Sequence, residues 1–231
     1  MKTYIQFGSK QIHFHLKYSN RKSLGITVKP DLTVLVKAPS GTSLDKVKEV
    51  LNKKASWIIK QQSYFLSFHP KTPPRKFISG ETHLYLGRQY RLKIHKRKSE
   101  SVKLKGKFIE VTTSDKSRVK GLVKEWYLKN ARMKFEIIAN PLIDKFKKYK
   151  VGPSSIVLRE MPTRWGSCTA KGKVILNPEL IKAPKACIEY VIIHELCHLV
   201  YHAHTQRFID LQTKEMPDWE KWKSKLEKLL A

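Results

Sequence analysis

The chain has few cysteines, few acidic residues and no long hydrophobic run. Three of its 231 residues are cysteine, Cys168, Cys187 and Cys197, and no CxxC pair is present. This count excludes a disulfide scaffold and predicts reduced thiols. The longest apolar runs, such as 191–193, are too short to span a bilayer, and the first residues lack the apolar segment of a signal peptide. We therefore expect a soluble, cytoplasmic protein without a membrane partner.

Acidic residues are scarce because 47 Lys and Arg stand against 19 Asp and Glu, which gives a net charge of +28. Residues 151–231 contain 12 basic and 9 acidic residues, so residues 1–150 contain 35 and 10 and hold +25 of that charge. Such a basic part attracts phosphates and polyanions. Aromatic residues interleave with lysines over 4–18 and 88–98, a pattern that suits a nucleic acid or nucleotide partner. The alternative is a lysine-rich surface that only keeps the protein soluble, with the aromatic residues on the inward face of a small sheet.

Alternation of polar and apolar residues predicts short strands in two groups. The first group comprises 4–7, 11–18, 24–28 and 32–36, and the second comprises 82–86, 89–94, 102–104 and 108–111. Turn residues separate consecutive strands, which favours antiparallel meanders. Two more short strands are expected, at 156–158 and 174–176.

Apolar residues that recur every three or four positions predict helices. The first predicted helix begins after Ser43, a suitable N-cap, and runs to about Phe65. The second runs from Asp115 into the 130s, with Met133 and Ile137 in its apolar stripe, and Asn140-Pro141 breaks or kinks it. Two further helices are expected to begin near residues 184 and 217.

These elements predict an α+β fold with a compositional change along the chain. A basic, antiparallel β-rich part with one helix is expected over 1–112, and a compact core of helices and strands over 113–231. One continuous domain is the alternative. The proline-rich segment 69–75 is expected to be a linker or loop.

One motif carries metal chemistry: residues 194–198 read His-Glu-Leu-Cys-His. On a helix, side chains at i and i+4 share a face, so His194 and His198 can bind one ion. Glu195 lies at the edge of that face, where it can accept a proton from a metal-bound water. Zinc suits this ligand set, and a catalytic zinc needs a third protein ligand and an open position. The alternative is a buried helix whose histidines only form hydrogen bonds.

The third ligand has several candidates. On a continued helix His202 would lie about 12 Å from the first histidine, too far for one ion. His204 can bind only if the helix ends near 200–203 and the chain folds back. A downstream carboxylate, Glu215 or Glu220, is the rival.

With these residues in view, the sequence resembles the YgjP-like metallopeptidase family, small HExxH zincins related to SprT-like and Wss1-like metalloproteases. The resemblance covers nearly the whole chain. The segments that carry it are 34–39, 85–92, 164–168 (Arg-Trp-Gly-Ser-Cys), Leu176-Asn177, 190–198, and His204 with Phe208. The chain departs from the family at Ala203, where members usually have Asn, and at Ile209, where they usually have Trp.

The resemblance implies Zn²⁺ bound by His194, His198 and His204, with Glu195 as the general base, in a zincin-like metallopeptidase core. It favours His204 over the acidic rivals. It also implies a peptide or protein substrate, whose bond is hydrolysed by a zinc-bound water that Glu195 activates.

Two other functions stay open at this point. A metal-dependent nucleotide phosphohydrolase would use basic residues to clamp phosphates, and one family member is associated with UTP hydrolysis. The absence of a glycine-rich phosphate loop weighs against it. A nucleic-acid-associated protein with a structural metal site is the other, although structural zinc sites usually have four ligands and are rich in cysteine.

Other residues near the motif are candidates for substrate contacts or for packing around the site. They are Arg164, Trp165, Tyr190, Tyr201 and His202. The strand expected at 173–176 is the candidate edge beside which a peptide could add as a further strand, with an ordinary interior strand as the alternative.

Overall fold

The structure is a computed structural model that describes residues 2–8, 10–29, 31–66, 75–162 and 164–230. It contains helices together with antiparallel and mixed sheets, which confirms the predicted α+β class. The chain divides into two compact units, Met1–Pro73 and Pro74–Leu230. Residues 69–74 of the expected linker lie outside the described residues. None of the described helices has the length and apolarity needed to cross a membrane.

The first unit is a four-stranded sheet covered on one face by helices. Its elements are β1 (Lys2–Phe7), β2 (Lys10–Ser19), β3 (Gly25–Val28), β4 (Val34–Pro39), α1 (Leu44–Lys53) and α2 (Ala55–Leu66). The strand order is β1-β2-β4-β3, and β2 pairs with β4 in parallel, so the expected antiparallel meander is wrong. This order places the two most regular apolar alternations, those of β2 and β4, at the centre of the sheet, where their inward side chains are buried.

The helix predicted from Ser43 to about Phe65 is two helices that meet at Lys54. The Ser43 hydroxyl oxygen accepts a hydrogen bond from the Lys46 N–H at 3.3 Å, which confirms the predicted N-cap. At Lys54 the backbone leaves helical geometry, with φ −104° and ψ 4°. The buried stripe passes through this break, from Leu51 in α1 to Ala55 in α2, so the apolar pattern gives no sign of it.

Over the residues that the structure describes, the second unit contains two sheets and four α-helices. Its elements are β5 (Thr82–Tyr85), β6 (Arg88–Lys96), β7 (Ser101–Lys105), β8 (Phe108–Thr113), α3 (Val119–Phe146), β9 (Ser155–Leu158), β10 (Gly166–Cys168), β11 (Lys173–Leu176), α4 (Lys185–Val200), α5 (Gln206–Glu215) and α6 (Trp219–Leu230). Strands β5 to β8 form a sheet of order β5-β6-β8-β7 with β6 and β8 parallel, so a meander is wrong here too. Both four-stranded sheets therefore share one topology, two hairpins with the second strand of each hairpin paired in parallel.

The boundary expected at 112/113 does not match the division of the chain, which falls at 73/74. The second sheet and the following helices share one core. Ile109 and Val111 of β8 belong to the same buried cluster as Val123 of α3 and Ile188 of α4. A cut after residue 112 would divide this core, which is why the sheet belongs with the helices.

Helix α3 is longer and faces the core differently from the prediction. It continues through Pro141 to Phe146, so of the break or kink expected at Asn140-Pro141 the break is wrong. Met133 and Ile137, predicted in the apolar stripe, are 47% and 59% exposed. The buried stripe runs on both sides of Pro141 and consists of Val119, Leu122, Val123, Tyr127, Ala131, Phe135, Ile138, Ala139 and, beyond the proline, Phe146. Burial of this stripe on both sides of the proline holds the helix together, because proline removes one intrahelical hydrogen bond and leaves the others.

The small sheet beside α4 has the order β10-β11-β9. Strand β11 pairs with β10 antiparallel and with β9 in parallel, so the segment 173–176 is an interior strand and the expectation of an edge is wrong. The edge strand that contacts α4 is β10, which was not predicted as a strand.

A hairpin turn supports the start of α4. The turn between β5 and β6 has positive φ at Leu86 (47°) and Gly87 (77°). Their backbone N–H groups donate to the carbonyl oxygens of Ile181 (2.8 Å) and Lys182 (3.1 Å). A Cβ on Gly87 would lie 2.7 Å from Cγ of Pro184, the N-cap residue of α4, so the close approach requires glycine.

We predict that Gly87→Ala destabilises the protein more than Gly106→Ala. Gly106 also has positive φ (55°), but a Cβ there would meet no atom within 4 Å. The strain of a left-handed alanine, about 1 kcal/mol, is common to both. The contact with Pro184 should add about 2 kcal/mol for Gly87→Ala. Urea unfolding of both variants measures the difference, and equal losses would show that this packing does not stabilise the unit.

Candidate metal centre

Helix α4 presents two histidines on one side, and the chain that follows returns toward them. The rings of His194 and His198 have centroids 5.0 Å apart. The helix ends at Val200, and Tyr201 adopts an extended conformation with φ −130° and ψ 111°. The chain then turns back before α5 begins, and this turn brings His204 beside the helix. None of the residues of this turn has a positive φ, so no left-handed residue is needed.

The three histidines converge on one point. One ring nitrogen from each of His194, His198 and His204 lies within 4.8 Å of the others. The Nε2 atoms of His194 and His204 are 3.1 Å apart. Two ligands on one tetrahedral zinc ion, with bonds of 2.0–2.1 Å, would be about 3.3 Å apart. The donor set therefore has the spacing and the chemistry that fit a single zinc ion.

Hydrogen bonds fix which nitrogen of each helix histidine faces the cluster. His194 Nδ1 lies 2.7 Å from Oε1 of Gln212, and His198 Nδ1 lies 3.2 Å from the carbonyl oxygen of Tyr201. Because both oxygens accept, each Nδ1 donates its proton, and the Nε2 lone pair is left for a ligand role. Burial lowers the pKa of His194 to about 4 and also lowers the pKa of His198, so both rings are neutral at pH 7.

Helix α5 packs a phenylalanine and a glutamine against the histidines. Phe208 is fully buried, and its ring centroid lies 5.1, 4.7 and 4.7 Å from those of His194, His198 and His204. Gln212, one turn further along α5, is 1% exposed. Gln212 was not predicted as a site residue from the sequence. The signal that could have found it is a polar residue on the apolar stripe that Phe208 begins.

Glu195 lies on the side of α4 that faces β10. Its side chain is 5% exposed, and a Cβ on Gly166 would lie 2.5 Å from its Oε1, so the strand can approach the carboxylate only with glycine at this position. Burial raises the pKa of Glu195 to about 7, although Arg164 and the Cys168 backbone N–H act in the opposite direction. The carboxyl group thus exchanges a proton near neutral pH.

An open cleft of about 680 Å³ contains the three histidines and Glu195. Four of the five additional candidates from the sequence line it as well: Arg164, Trp165, Tyr190 and His202. The side chain of Tyr201 is not among the lining residues, and its contribution is the carbonyl that supports His198. Tyr190 packs between His194 and the ring of Trp219, with which it stacks at 6.2 Å.

The acidic rivals for the third position are not in the cluster. Burial would raise the pKa of Glu215, but hydrogen bonds from Lys148, Tyr149 and Lys145 outweigh it and lower the pKa to about 2. Its oxygens lie 2.8 Å from Nζ of Lys148 and 2.6 Å from the Tyr149 hydroxyl. Glu220 is exposed on α6. Glu215 therefore belongs to a separate polar cluster with Lys145, Lys148 and Tyr149.

The cysteines take no part in the cluster. All three are free; Cys187 and Cys197 are buried and Cys168 is half-buried. Cys197 lies inside the motif but away from the two histidines, as the helix geometry indicates, and burial raises its pKa to about 12.

Comparison with known proteins gives one match. Neither the search of curated proteins nor the search of solved structures found a similar protein. The family model described as "YgjP-like, metallopeptidase domain" matches residues 22–229, nearly the full length. The match includes the histidine cluster and Glu195 in the second unit, and it covers the first unit from residue 22, after β1 and β2. The chain belongs to the YgjP-like metallopeptidase family.

Proposed function

We propose that this protein is a zinc-dependent peptidase in which His194, His198 and His204 hold the ion and Glu195 is the general base. The observation that supports it best is the convergence of three imidazoles beside a buried carboxylate in one open cleft. Membership of a metallopeptidase family supports a hydrolase that acts on peptides or proteins.

The choice of zinc rests on the donor set. Imidazole nitrogens suit a borderline-soft ion without redox chemistry, and neither a thiolate nor a second carboxylate belongs to the cluster among the described residues. Three protein ligands are also the number that catalytic zinc sites use, because a fourth position stays open to water or substrate. When bound, zinc supplies a Lewis acid and lowers the pKa of a coordinated water toward about 7.

Glu195 supplies the proton transfer in this proposal. With a pKa of about 7, its carboxylate can accept the proton of the attacking water and later release it to the leaving amine. The glycine at 166 leaves room for the carboxylate to reach the cleft. The neighbouring Arg164 favours the charged form, which is the form that acts as a base.

Strand β10 is the proposed site of substrate alignment. It pairs only with β11 in its sheet, and its residues Gly166, Ser167 and Cys168 line the cleft. A peptide can therefore add to its open edge as a further strand and pass the scissile bond in front of Glu195. Trp165 and Tyr190 offer apolar walls for substrate side chains.

The charge of the cleft favours a peptide over a nucleotide. Arg164 is the only Lys or Arg among the residues that line it. Transfer or hydrolysis of a triphosphate is usually supported by several cations around the phosphates. An open three-histidine site also differs from the closed four-ligand site expected of a structural zinc. Since the three cysteines are unpaired, we propose a reducing compartment such as the cytoplasm.

Replacement of Glu195 by Gln tests the general base. We expect Glu195→Gln to retain bound zinc, measured by elemental analysis after dialysis, and to lose at least 100-fold of the casein-hydrolysing activity. Nucleoside triphosphates are offered to both proteins in parallel, with phosphate release as the readout. Near-normal peptide hydrolysis by the variant would contradict the proposed role of Glu195, and zinc-dependent phosphate release without peptide hydrolysis would contradict the proposed substrate.

Replacement of His204 by Ala tests the third ligand. We expect His204→Ala to lower zinc affinity more than 100-fold, because two histidines alone leave the ion weakly held. His202→Ala is the matched control, since His202 lines the same cleft but lies outside the cluster. The measurement is a competition titration with a zinc chelator. Normal affinity of the His204 variant would mean that the third ligand is another group.

Replacement of Gln212 by Ala tests the support of His194. Loss of the 2.7 Å hydrogen bond should free the ring and lower zinc affinity 10- to 100-fold. Gln206→Ala is the control on the same helix, because the Gln206 side chain is exposed and bonds to Asp210. Equal affinities of the two variants would show that Gln212 does not position the histidine.

A further inference from the structure

The outward face of the first sheet is open to solvent. Strand β2 alternates strictly, with Ile12, Phe14 and Leu16 buried under the helices and the residues between them exposed. The exposed residues that alternate with this buried set, and so point outward, are Gln11, His13, His15 and Lys17. Because neighbours in register point to the same side, the pairing of the strands shows which side chains of β1, β4 and β3 share this face.

One end of the face is a row of cations across three strands. Lys17 of β2 lies opposite Lys37 of β4, and Lys37 lies opposite Gly25 of β3. The space above Gly25 is filled by a guanidinium, since a Cβ there would lie 2.7 Å from Nη1 of Arg21. Glycine at 25 thus allows Arg21 to lie flat on the sheet and complete the row.

Aromatic rings occupy the other end of the same face. Tyr4 of β1 lies opposite His13 of β2, and their ring centroids are 5.6 Å apart. Tyr4 is 48% exposed although it is an aromatic residue within a strand. His15 lies between the two rows, with Leu35 opposite it. Residues two apart on a strand are about 6.7 Å apart, so the rows are separated by about 13 Å.

The face has no negative charge to oppose an anion. Residues 1–73 contain 13 basic and three acidic residues, and none of the three lies in a strand. Asp31 is in the loop before β4, and Asp45 and Glu49 are on α1. Glu49 forms its ion pairs with Lys46 and Lys53 on the same helix. The strand positions of this face therefore carry cations and no acidic residue.

We propose that this face binds single-stranded nucleic acid, with phosphates on the row of Lys17, Lys37 and Arg21 and bases stacked on Tyr4 and His13. Rows of cations track a phosphate backbone, and exposed rings stack on bases that are not paired. An acidic protein would be attracted by the cations but would not need the exposed rings. The site is separate from the histidine cluster and does not depend on the proposed peptidase activity.

The cationic row is tested with the full-length variant Lys17→Gln/Lys37→Gln. The charge-matched control is Lys54→Gln/Lys60→Gln, which removes two exposed lysines from the helix layer. Fluorescence anisotropy with labelled dT20 and U20 measures affinity at several salt concentrations. We expect the sheet variant to lose at least tenfold in affinity and about 1.4 in the slope of log K against log salt, since each phosphate contact contributes about 0.7. Equal slopes and affinities for the two variants would overturn the proposal.

The aromatic row is tested with Tyr4→Leu against Trp57→Leu. Trp57 is 42% exposed on α2, so it controls for loss of an exposed aromatic residue. We expect Tyr4→Leu alone to weaken binding at least fivefold, because one stacked base is lost. A dT20·dA20 duplex and heparin complete the set. If the duplex or heparin binds as tightly as dT20, the face recognises negative charge alone and the proposal is wrong. The affinities for U20 and dT20 show whether the face prefers RNA or DNA. Glu195→Gln should bind normally.

Discussion

The three-histidine cluster depends on where helix α4 stops. Two histidines one turn apart on a helix leave an ion with only two protein ligands. The third becomes available because α4 ends at Val200 and an extended Tyr201 starts the return of the chain, which places His204 Nε2 3.1 Å from His194 Nε2. At this end of the helix, the backbone carbonyl oxygen of Tyr201 accepts a hydrogen bond from His198 Nδ1. The same end of the helix thus brings one histidine into the cluster and orients another.

Around this point the second unit is built to hold neutral, oriented imidazoles beside a carboxylate of raised pKa. Helix α5 contributes Phe208, which packs against all three rings, and Gln212, which fixes the tautomer of His194. Strand β10 covers Glu195 with a glycine, so burial raises its pKa while the carboxylate still lines the cleft. Burial is therefore the common cause of the lowered pKa of His194 and the raised pKa of Glu195. The proposed chemistry needs a neutral imidazole and a carboxyl group that can take up and release a proton, and the two shifts favour these states.

The two four-stranded sheets share one strand order but have different surroundings. The second sheet shares a core with α3 and α4, and its β5–β6 turn packs on the N-cap of α4 through Gly87. The first sheet is covered by helices on one face only, and its other face carries cations and exposed rings. Part of the strong positive charge of the chain is thus arranged in the first unit as one row, Lys17, Lys37 and Arg21, whose positions follow from the strand register.

Spacing within single elements was enough to predict the α+β class, most of the strands, the N-cap Ser43 and the histidine pair with its glutamate. The folded chain was needed to show the parallel pairing of β2 with β4, the interior position of β11 and the division of the chain at 73/74. It was also needed to show the continuity of α3 through Pro141, the hydrogen bond of Gln212 to His194 and the ion pairs of Glu215 with lysines. Each of these depends on contacts between residues far apart in the chain, and such contacts leave no periodic signal in a single sequence.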